Sequence, residues 1–540
     1  MNLKAPALDV AAVLGEVGLP APIDELAARR WDAIVVGAGH NGLTAAAYLA
    51  RAGRSVLVLE RSERIGGACT LERPFDDAPG YVISPCAYVV GLLDGVVIRE
   101  LELERHGYRV TPADPNSWSP LPDGTSMAGF LDHSATVEHM RSQGFSERDI
   151  RGVEAYDDAF QRLRDALRRG PEGDTWQRPS PSRAGIERIL GGDAELTSML
   201  FSDSIGDVLD RYIDDERIKQ ALFGQGVIGT FAGPRDAGTA SIHLMHSQGD
   251  LQGRGSVWGY VEGGMGRISF AIAEAAIEAG AVIAAGVEVA GIDPGEGVTL
   301  ASGESVGARV VVANADPKRT LAMLDGAEVP APYRERLEGW RVASPVVKLN
   351  AALSRPPAFT AAANGDVDPL RAMVSISPSL DEAQAAVEAA RRGEPRFGFC
   401  ELYFQTAYDP SVAPEGKHVM SVFAQYAPYE LAEGDWEGRR GEVADLVLDA
   451  IAERAPDVRD CIEHLQVLGP PDIEERIGLS GGHIFQGEAL PDQMWDRRLT
   501  WRTPVQGLYL CGAATHPGGS VIALNGRGAA RAVLGDTDGL

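Results

Sequence analysis

The stretch from Ala33 to Glu60 constrains this chain more than any other. An apolar run, Ala33-Ile34-Val35-Val36, leads into Gly37-Ala38-Gly39-His40-Asn41-Gly42 and a helical stretch, Leu43–Arg51, stopped by Gly53. A second apolar run, Val56-Leu57-Val58-Leu59, then ends in Glu60 and Arg61. Fully apolar runs of this length suit strands buried on both faces, so the pattern predicts a strand-turn-helix-strand unit of a parallel sheet. Gly37 permits the tight turn, Gly39 lets backbone approach a pyrophosphate, and Gly42 lets the helix pack close to the strand. The helix N-terminus, opened by His40 and Asn41, aims N–H groups at phosphate charge. Among 63 glycines a bare Gly-x-Gly-x-x-Gly means little; the strand before it, the helix after it and the acid ending the next strand make it a dinucleotide site. Glu60 is set to accept hydrogen bonds from a ribose diol and to repel a 2′-phosphate.

The chain has 540 residues, and at about 150 residues per domain more than one lobe is expected. Its 50 basic and 77 acidic side chains give a net charge of −27, a field that repels phosphate backbones and excludes nucleic acid as a partner. Residues 1–30 carry Asp9, Glu16, Asp24 and Glu25 and no unbroken apolar stretch, so they read as an extension and not as a signal peptide. Apolar regions elsewhere are interrupted by His40 and Asn41 or by Glu274 and Glu278, short of the roughly 20 residues of a membrane span. A cytoplasmic protein is expected, with peripheral membrane contact left open. The five cysteines are scattered and form no C-x-x-C pair, which removes support for disulfides, a cysteine zinc site or a dithiol redox centre.

Along the chain, 31–115 and 251–335 have α/β character, the latter with a helix Ile268–Ala279 and strands around Val282–Val289, Val298–Leu300 and Val310–Val312. Residues 131–250 are polar and helix-rich, with 3.6-type spacing over Thr136–Gln143, Ser146–Arg169 and Thr197–Gln225, and predict a helical cap. Segments 116–130 and 336–497 are assigned to a second sheet, with strands at Pro345–Leu353, Phe397–Phe404 and His418–Ala424 and an Ala-rich helix at 381–392. Residues 498–540 return to the nucleotide type: Gly507-Leu508-Tyr509-Leu510-Cys511-Gly512 runs through His516-Pro517-Gly518-Gly519-Ser520-Val521 into a helix. That turn can direct N–H groups at negative charge on a reduced isoalloxazine ring.

Five motifs occur in order: the glycine turn; Glu60 to Gly67 with Arg64-Ile65-Gly66-Gly67-Ala68; Tyr260–Gly266; Ala313-Asn314-Ala315-Asp316-Pro317; and Leu508–Gly519. Together they resemble the phytoene-desaturase-like FAD-dependent oxidoreductases, within them the pyridine nucleotide-disulphide oxidoreductase domain-containing subgroup, near carotenoid isomerases and ketolases. The resemblance covers about Trp31 to Asp536. It implies an α/β fold in which a Rossmann-type FAD-binding lobe of the glutathione-reductase kind is interleaved with a mixed-sheet substrate domain and a helical cap. It implies FAD, bound non-covalently, with Gly37, Gly39, Gly42, Glu60, Arg64, Gly66, Gly67, Val289 (through its backbone), Gly512, Gly519 and Val521 at matching positions. Neighbours His40, Asn41, Arg61, Ala68 and Ser520 join that set. The chain departs from the pattern at Ala68, where Arg is frequent, at Gln486, at Ser520 and at Ala523-Leu524-Asn525.

Side chains for acid-base work are weakly signalled. His243 and His246, three apart, would share a helix face and read as packing or as a wall of the substrate tunnel; no carboxylate nearby supports a metal site. His483, Gln486 and His516 are the remaining candidates, with His516 read as positioning its loop. Trp258 and Tyr260 read as core aromatics, and Lys348 as the lysine best placed to reach the flavin or else a salt-bridged structural one. Three functions stay open: hydride removal from a hydrophobic, isoprenoid-like molecule with oxygen or a quinone as acceptor; an amine or amino-acid oxidase; and a flavoprotein whose FAD is mainly structural.

Overall fold

Trp31–Val36 lies at the centre of a parallel sheet, as a run apolar on both faces requires. In the computed structural model, which describes residues 9–537 apart from Asp325 and Asn364, the parallel order is Leu508–Leu510, Ser305–Ala313, Trp31–Val36, Val56–Glu60 and Val282–Ala285. Residues 1–8 of the expected extension and 538–540 at the end of the last α/β segment lie outside the described residues. An antiparallel hairpin, Val289–Asp293 with Gly297–Leu300, joins the first half of Ser305–Ala313. The expected single strand Val282–Val289 is therefore two: Gly286, at φ 74°, turns the chain, and Val287 donates its N–H to the Glu60 carbonyl at 2.7 Å.

Helix His40–Arg51 packs its apolar face with Gly266–Glu278 and Leu524–Thr537 into one core with the sheet. The contact with the last helix is backbone against backbone. A Cβ on Gly526 would stand 2.1 Å from the Asn41 carbonyl oxygen, so only glycine allows this crossing.

A second sheet has seven strands, in the order Ile462–Leu468, Val346–Leu353, His418–Gln425, Phe399–Tyr403, Val374–Ile376, Ser117–Pro120 and Ser126–Gly129. All neighbours are antiparallel except Val374–Ile376 with Ser117–Pro120. Strand alternation gives this sheet two faces. Val347, Leu349, Ala351, Cys400, Leu402 and Val422 enter the core under helix Trp436–Ala452. The alternate positions, among them Lys348, Glu401, Tyr403 and Phe423, face a cavity.

The expected long helical stretch Thr197–Gln225 is broken into Ala194–Phe201, Ile205–Tyr212, Glu216–Leu222 and a short 3-10 turn. Asp193, Ser204 and Asp215 each accept a backbone N–H as N-caps, so the apolar period runs on while the helix, begun after Asp193, restarts twice. With Glu147–Arg169, capped by Ser146, and Thr239–Ser247, these helices share a core that reaches Val346, Phe399, Phe423 and Phe485.

Candidate active site

Two glycine loops meet at the head of helix His40–Arg51. Gly66 donates its N–H to the Ala38 carbonyl at 2.9 Å, and a Cβ on Gly67 would lie 3.5 Å from the Gly39 Cα. Asn314 backs this cradle, donating to the Gly37 carbonyl at 3.3 Å, and a Cβ on Gly39 would come within 2.8 Å of its Nδ2. Gly42 is fixed by packing: its Cβ would lie 2.2 Å from the Gly37 carbonyl oxygen. Glu60 accepts the Ala38 N–H at 2.7 Å and the Ser62 N–H at 2.9 Å, which orients its carboxylate and leaves lone pairs over. Arg64 is held by the N-terminal extension, donating to the Leu14 carbonyl at 2.8 Å and pairing with Glu16.

The C-terminal turn closes over this cradle. Ser520 and Ala523 hold φ of 82° and 66°, and the buried Asn525 donates to the carbonyls of Thr515 at 2.9 Å and Gly518 at 3.1 Å. Arg498, 1% exposed, donates to the carbonyls of Phe485 (2.8 Å), Glu488 (2.8 Å) and Ala513 (2.7 Å), binding segment 485–488 to the turn. Gln486 adds a second bolt, donating to the Asn314 carbonyl at 3.1 Å and accepting the Ala514 N–H at 3.3 Å. A Cβ on Gly512 would stand 2.2 Å from Gln486 Oε1, and one on Gly519 would stand 2.4 Å from the Phe485 Cβ. Gln486 also lines the cavity, and its bonds to Asn314 and Ala514 hold its amide to the loop.

A cavity of about 560 Å³ runs from these loops to the second sheet. Gly37, Gly39, His40, Asn41, Glu60, Arg61, Arg64, Gly66, Gly67, Ala68, Val289, Ser520 and Val521 line it; Gly42, Gly512 and Gly519 stand behind the wall as close-approach positions. Among the candidate histidines only His246 lines it, its Nδ1 3.0 Å from the Ile242 carbonyl. His243 turns into the cap, 3.3 Å from the Tyr156 hydroxyl and against Phe160, so the two do not share a face of the tunnel. His483 accepts the Phe485 N–H at 3.2 Å, and His516 sits 2.7 Å from the Thr175 carbonyl; neither lines the cavity. Burial pushes His246 and His516 down to about 4 and His243 and His483 to about 3, so all four are neutral at neutral pH. Tyr260 stacks on Tyr408 at 4.6 Å, whereas Trp258 lines the cavity. Lys348 has no carboxylate within 4 Å among the described residues, so it is not the salt-bridged lysine of the plainer sequence reading.

The residues fit FAD. The cradle presents bare backbone where a pyrophosphate approaches, and beside it the buried His40 Nε2 and Asn41 Oδ1 have no hydrogen-bond partner among the described residues. Burial also holds His40 down to about 4, neutral and able to donate one hydrogen bond without adding charge. No group of three or more potential metal ligands occurs among the described residues, and no helix there is long and apolar enough to cross a membrane.

Comparison with known proteins agrees with this geometry. Residues 35–90 match an NAD(P)-binding Rossmann-like domain, and residues 158–534 match the flavin containing amine oxidoreductase family. The chain is 36% identical to the pyridine nucleotide-disulfide oxidoreductase domain-containing protein 2 of Mus musculus, covering 94% of each. It is 24% identical to a lycopene-forming phytoene desaturase of Pseudescherichia vulneris, over 90% of this chain and 95% of that one. Its fold is shared with the cyclohexylamine oxidase of Brevibacterium oxydans, at TM-score 0.55 and 16% identity over 94% of this chain and 100% of that one. Matched over most of its length by the family model and nearly end to end by the mouse protein, this chain belongs to the phytoene-desaturase-like flavin-containing amine oxidoreductases and is an FAD-dependent oxidoreductase.

Proposed function

We propose that the chain removes hydride from an apolar, isoprenoid-like molecule held between the second sheet and the cap, with oxygen or a quinone taking the electrons afterwards. One observation carries this reading: the cavity continues past the glycine loops into a chamber walled by Ile228, Trp258, Val346, Met373, Phe423 and Phe485. The similarity to a phytoene desaturase supports the substrate class. In this reading 31–115, 251–335 and 498–540 hold the cofactor, 116–130 and 336–497 the substrate, and 131–250 is the cap.

FAD, when bound, supplies the hydride acceptor. The protein's share is to bind and orient. Gly37, Gly39, Gly66 and Gly67 would flank the pyrophosphate, Glu60 would accept from a ribose, Arg61 and Arg64 would add positive charge, and the N–H groups around Ser520 and Val521 would face the flavin. The apolar walls exclude water and hold a C–H bond in place, a proximity effect able to supply several kcal/mol without a dedicated acid or base.

A charged amine is the weaker alternative. Glu401 offers it a carboxylate, but Lys348 shares that face of the sheet, and Tyr88 and Tyr403 stack on each other at 4.3 Å, leaving no gap for a cation between the rings. Anaerobic mixing with isoprenoid hydrocarbons and alcohols, following loss of the oxidised-flavin absorbance, tests the reading. Bleaching by substrate alone is expected; bleaching by NAD(P)H alone makes the protein a reductase and ends this proposal.

A further inference from the structure

The chamber's second-sheet wall is not uniformly apolar. Strand register sets Lys348 opposite Phe423 and Phe423 opposite Glu401, and in the next row Asn350 opposite Ser421 and Ser421 opposite Tyr403. Two cross-strand rows on one face thus carry a lysine, an asparagine, a serine, a glutamate and a tyrosine, around Phe423. Lys348 is 2% exposed and Glu401 4%. Burying such groups is costly unless each has a use for its hydrogen bonds.

Their bonding is incomplete. Lys348 Nζ donates to Asn350 Oδ1 at 3.2 Å and to the Ser421 hydroxyl, which leaves one of an ammonium's three donors. Glu401 accepts from Gln225 Nε2 at 2.6 Å and from the Tyr403 hydroxyl, which leaves further lone pairs. Tyr88 joins the two halves: its ring centre is 4.6 Å from Lys348 Nζ and 4.3 Å from the centre of the Tyr403 ring. All four residues, and Gln225, line the cavity.

From this we infer that the wall formed by Tyr88, Lys348, Glu401 and Tyr403 binds a hydroxyl oxygen carried by an otherwise apolar substrate. The inference rests on the reading above that an apolar molecule fills the chamber, and it narrows that molecule to an alcohol. A hydroxyl both accepts and donates, so it can accept from the free lysine donor at one end of the wall or offer its proton to the carboxylate at the other, and it meets a partner at either. A hydrocarbon does neither and leaves both groups buried and unmet. A carboxylate ligand meets Glu401 and an ammonium ligand meets Lys348, each with like charge. Burial lowers Lys348 to about 7 and raises Glu401 to about 7, as the loss of water from both groups requires.

One ten-carbon skeleton in four forms tests this on the FAD-loaded protein: myrcene, geraniol, geranic acid and geranylamine, with affinity read by calorimetry and by the shift of the visible flavin bands. Geraniol is expected to bind about tenfold or more tighter than myrcene, and the acid and amine no tighter than myrcene. Glu401→Gln and Lys348→Met together should bring geraniol to within about twofold of myrcene, with myrcene bound no more weakly than in the parent and FAD content unchanged. If Lys348→Met fails to keep FAD, Glu401→Gln and Tyr403→Phe, which preserve shape, decide alone. Equal affinity for myrcene and geraniol overturns the inference and leaves the apolar chamber standing, as does an equal loss of both ligands in the variants. Binding of none of the four overturns the apolar chamber and this inference with it; tightest binding of the amine overturns both in favour of an amine substrate.

Discussion

At one end of the cavity the chain turns bare backbone inward; at the other it turns side chains inward. The cofactor end is made where Gly39 and Gly66 come together, with Asn314, Asn525 and Arg498 fastening loops from behind through carbonyl groups. The other end, where we propose that substrate binds, is lined by Tyr88, Gln225, Lys348, Glu401 and Phe423, contributed by the cap, the second sheet and the loop before it. Backbone can match a pyrophosphate but cannot be retuned without moving the chain. Side chains on rigid strands can be exchanged one at a time, so under the proposed function substrate choice belongs to the second end.

The sharpest break of this contrast is Gly42→Ala. The added methyl would stand 2.2 Å from a backbone oxygen, and no rotamer relieves a Cβ, so the helix must back away from the turn. The expected outcome is colourless protein that cannot be reconstituted with FAD, whereas Glu401→Gln at the other end stays yellow. A yellow Gly42→Ala protein with full FAD content would show that the cradle is not held by that close approach.

Acid should act on both ends, less severely. His40, His246 and His516 are held at about 4 and His243 and His483 at about 3, against an ordinary value near 6.5, chiefly by burial. Arg498 adds to the effect at His483 and His516, and His246 adds to it at His243. A depressed folded value means that the unfolded chain binds more protons below about 6.5. The stability is therefore complete above that pH and is lost as pH falls toward the folded values, by roughly 3–5 kcal/mol for each histidine over its full span. Glu401, raised by burial to about 7, titrates in the opposite sense and offsets part of the loss. Denaturation midpoints should fall steadily from pH 7 to pH 5. A flat profile would mean that these imidazoles are solvated, and loss of FAD ahead of unfolding would mark His40 and the cofactor end as the weaker half.

How far each end can be read from sequence follows from the same contrast. The cradle is local: Gly37, Gly39, Gly42 and Glu60 fall within one strand-helix-strand unit, and the spacing itself states the job. The bolts are not. Arg498 and Asn525 act on carbonyl oxygens, which every residue carries, so no pattern marks them. The cap's broken helices were hidden because Ser204 and Asp215 restart the helix without interrupting the apolar period. Lys348 drew notice as a charge within an apolar strand, but its neighbours on the wall come from Ser421 and Glu401, more than 50 residues on, and only strand register brings them together. His243 and His246, read as packing or tunnel wall, divide those two roles between them because a cap and a cavity lie on adjoining sides of their helix.

The smallest expected effect concerns the place where the cofactor end depends on a charged side chain held from outside. Arg64 lines the cavity and is restrained by the Leu14 carbonyl and by Glu16, whose side chain is 54% exposed. An exposed ion pair of this kind is worth about 0–1 kcal/mol, so Glu16→Ala should move the denaturation midpoint barely if at all. Its effect on FAD has the opposite sign. The Leu14 carbonyl, 2.8 Å away, still holds the guanidinium, while removing the carboxylate leaves more of the arginine's charge for the pyrophosphate. FAD should therefore bind about twofold tighter at low salt, and the gain should vanish at high ionic strength, where such charges are screened. Weaker FAD binding that persists in high salt would mean that Glu16 positions Arg64, and the cofactor end would then rest on a side-chain contact as well as on backbone.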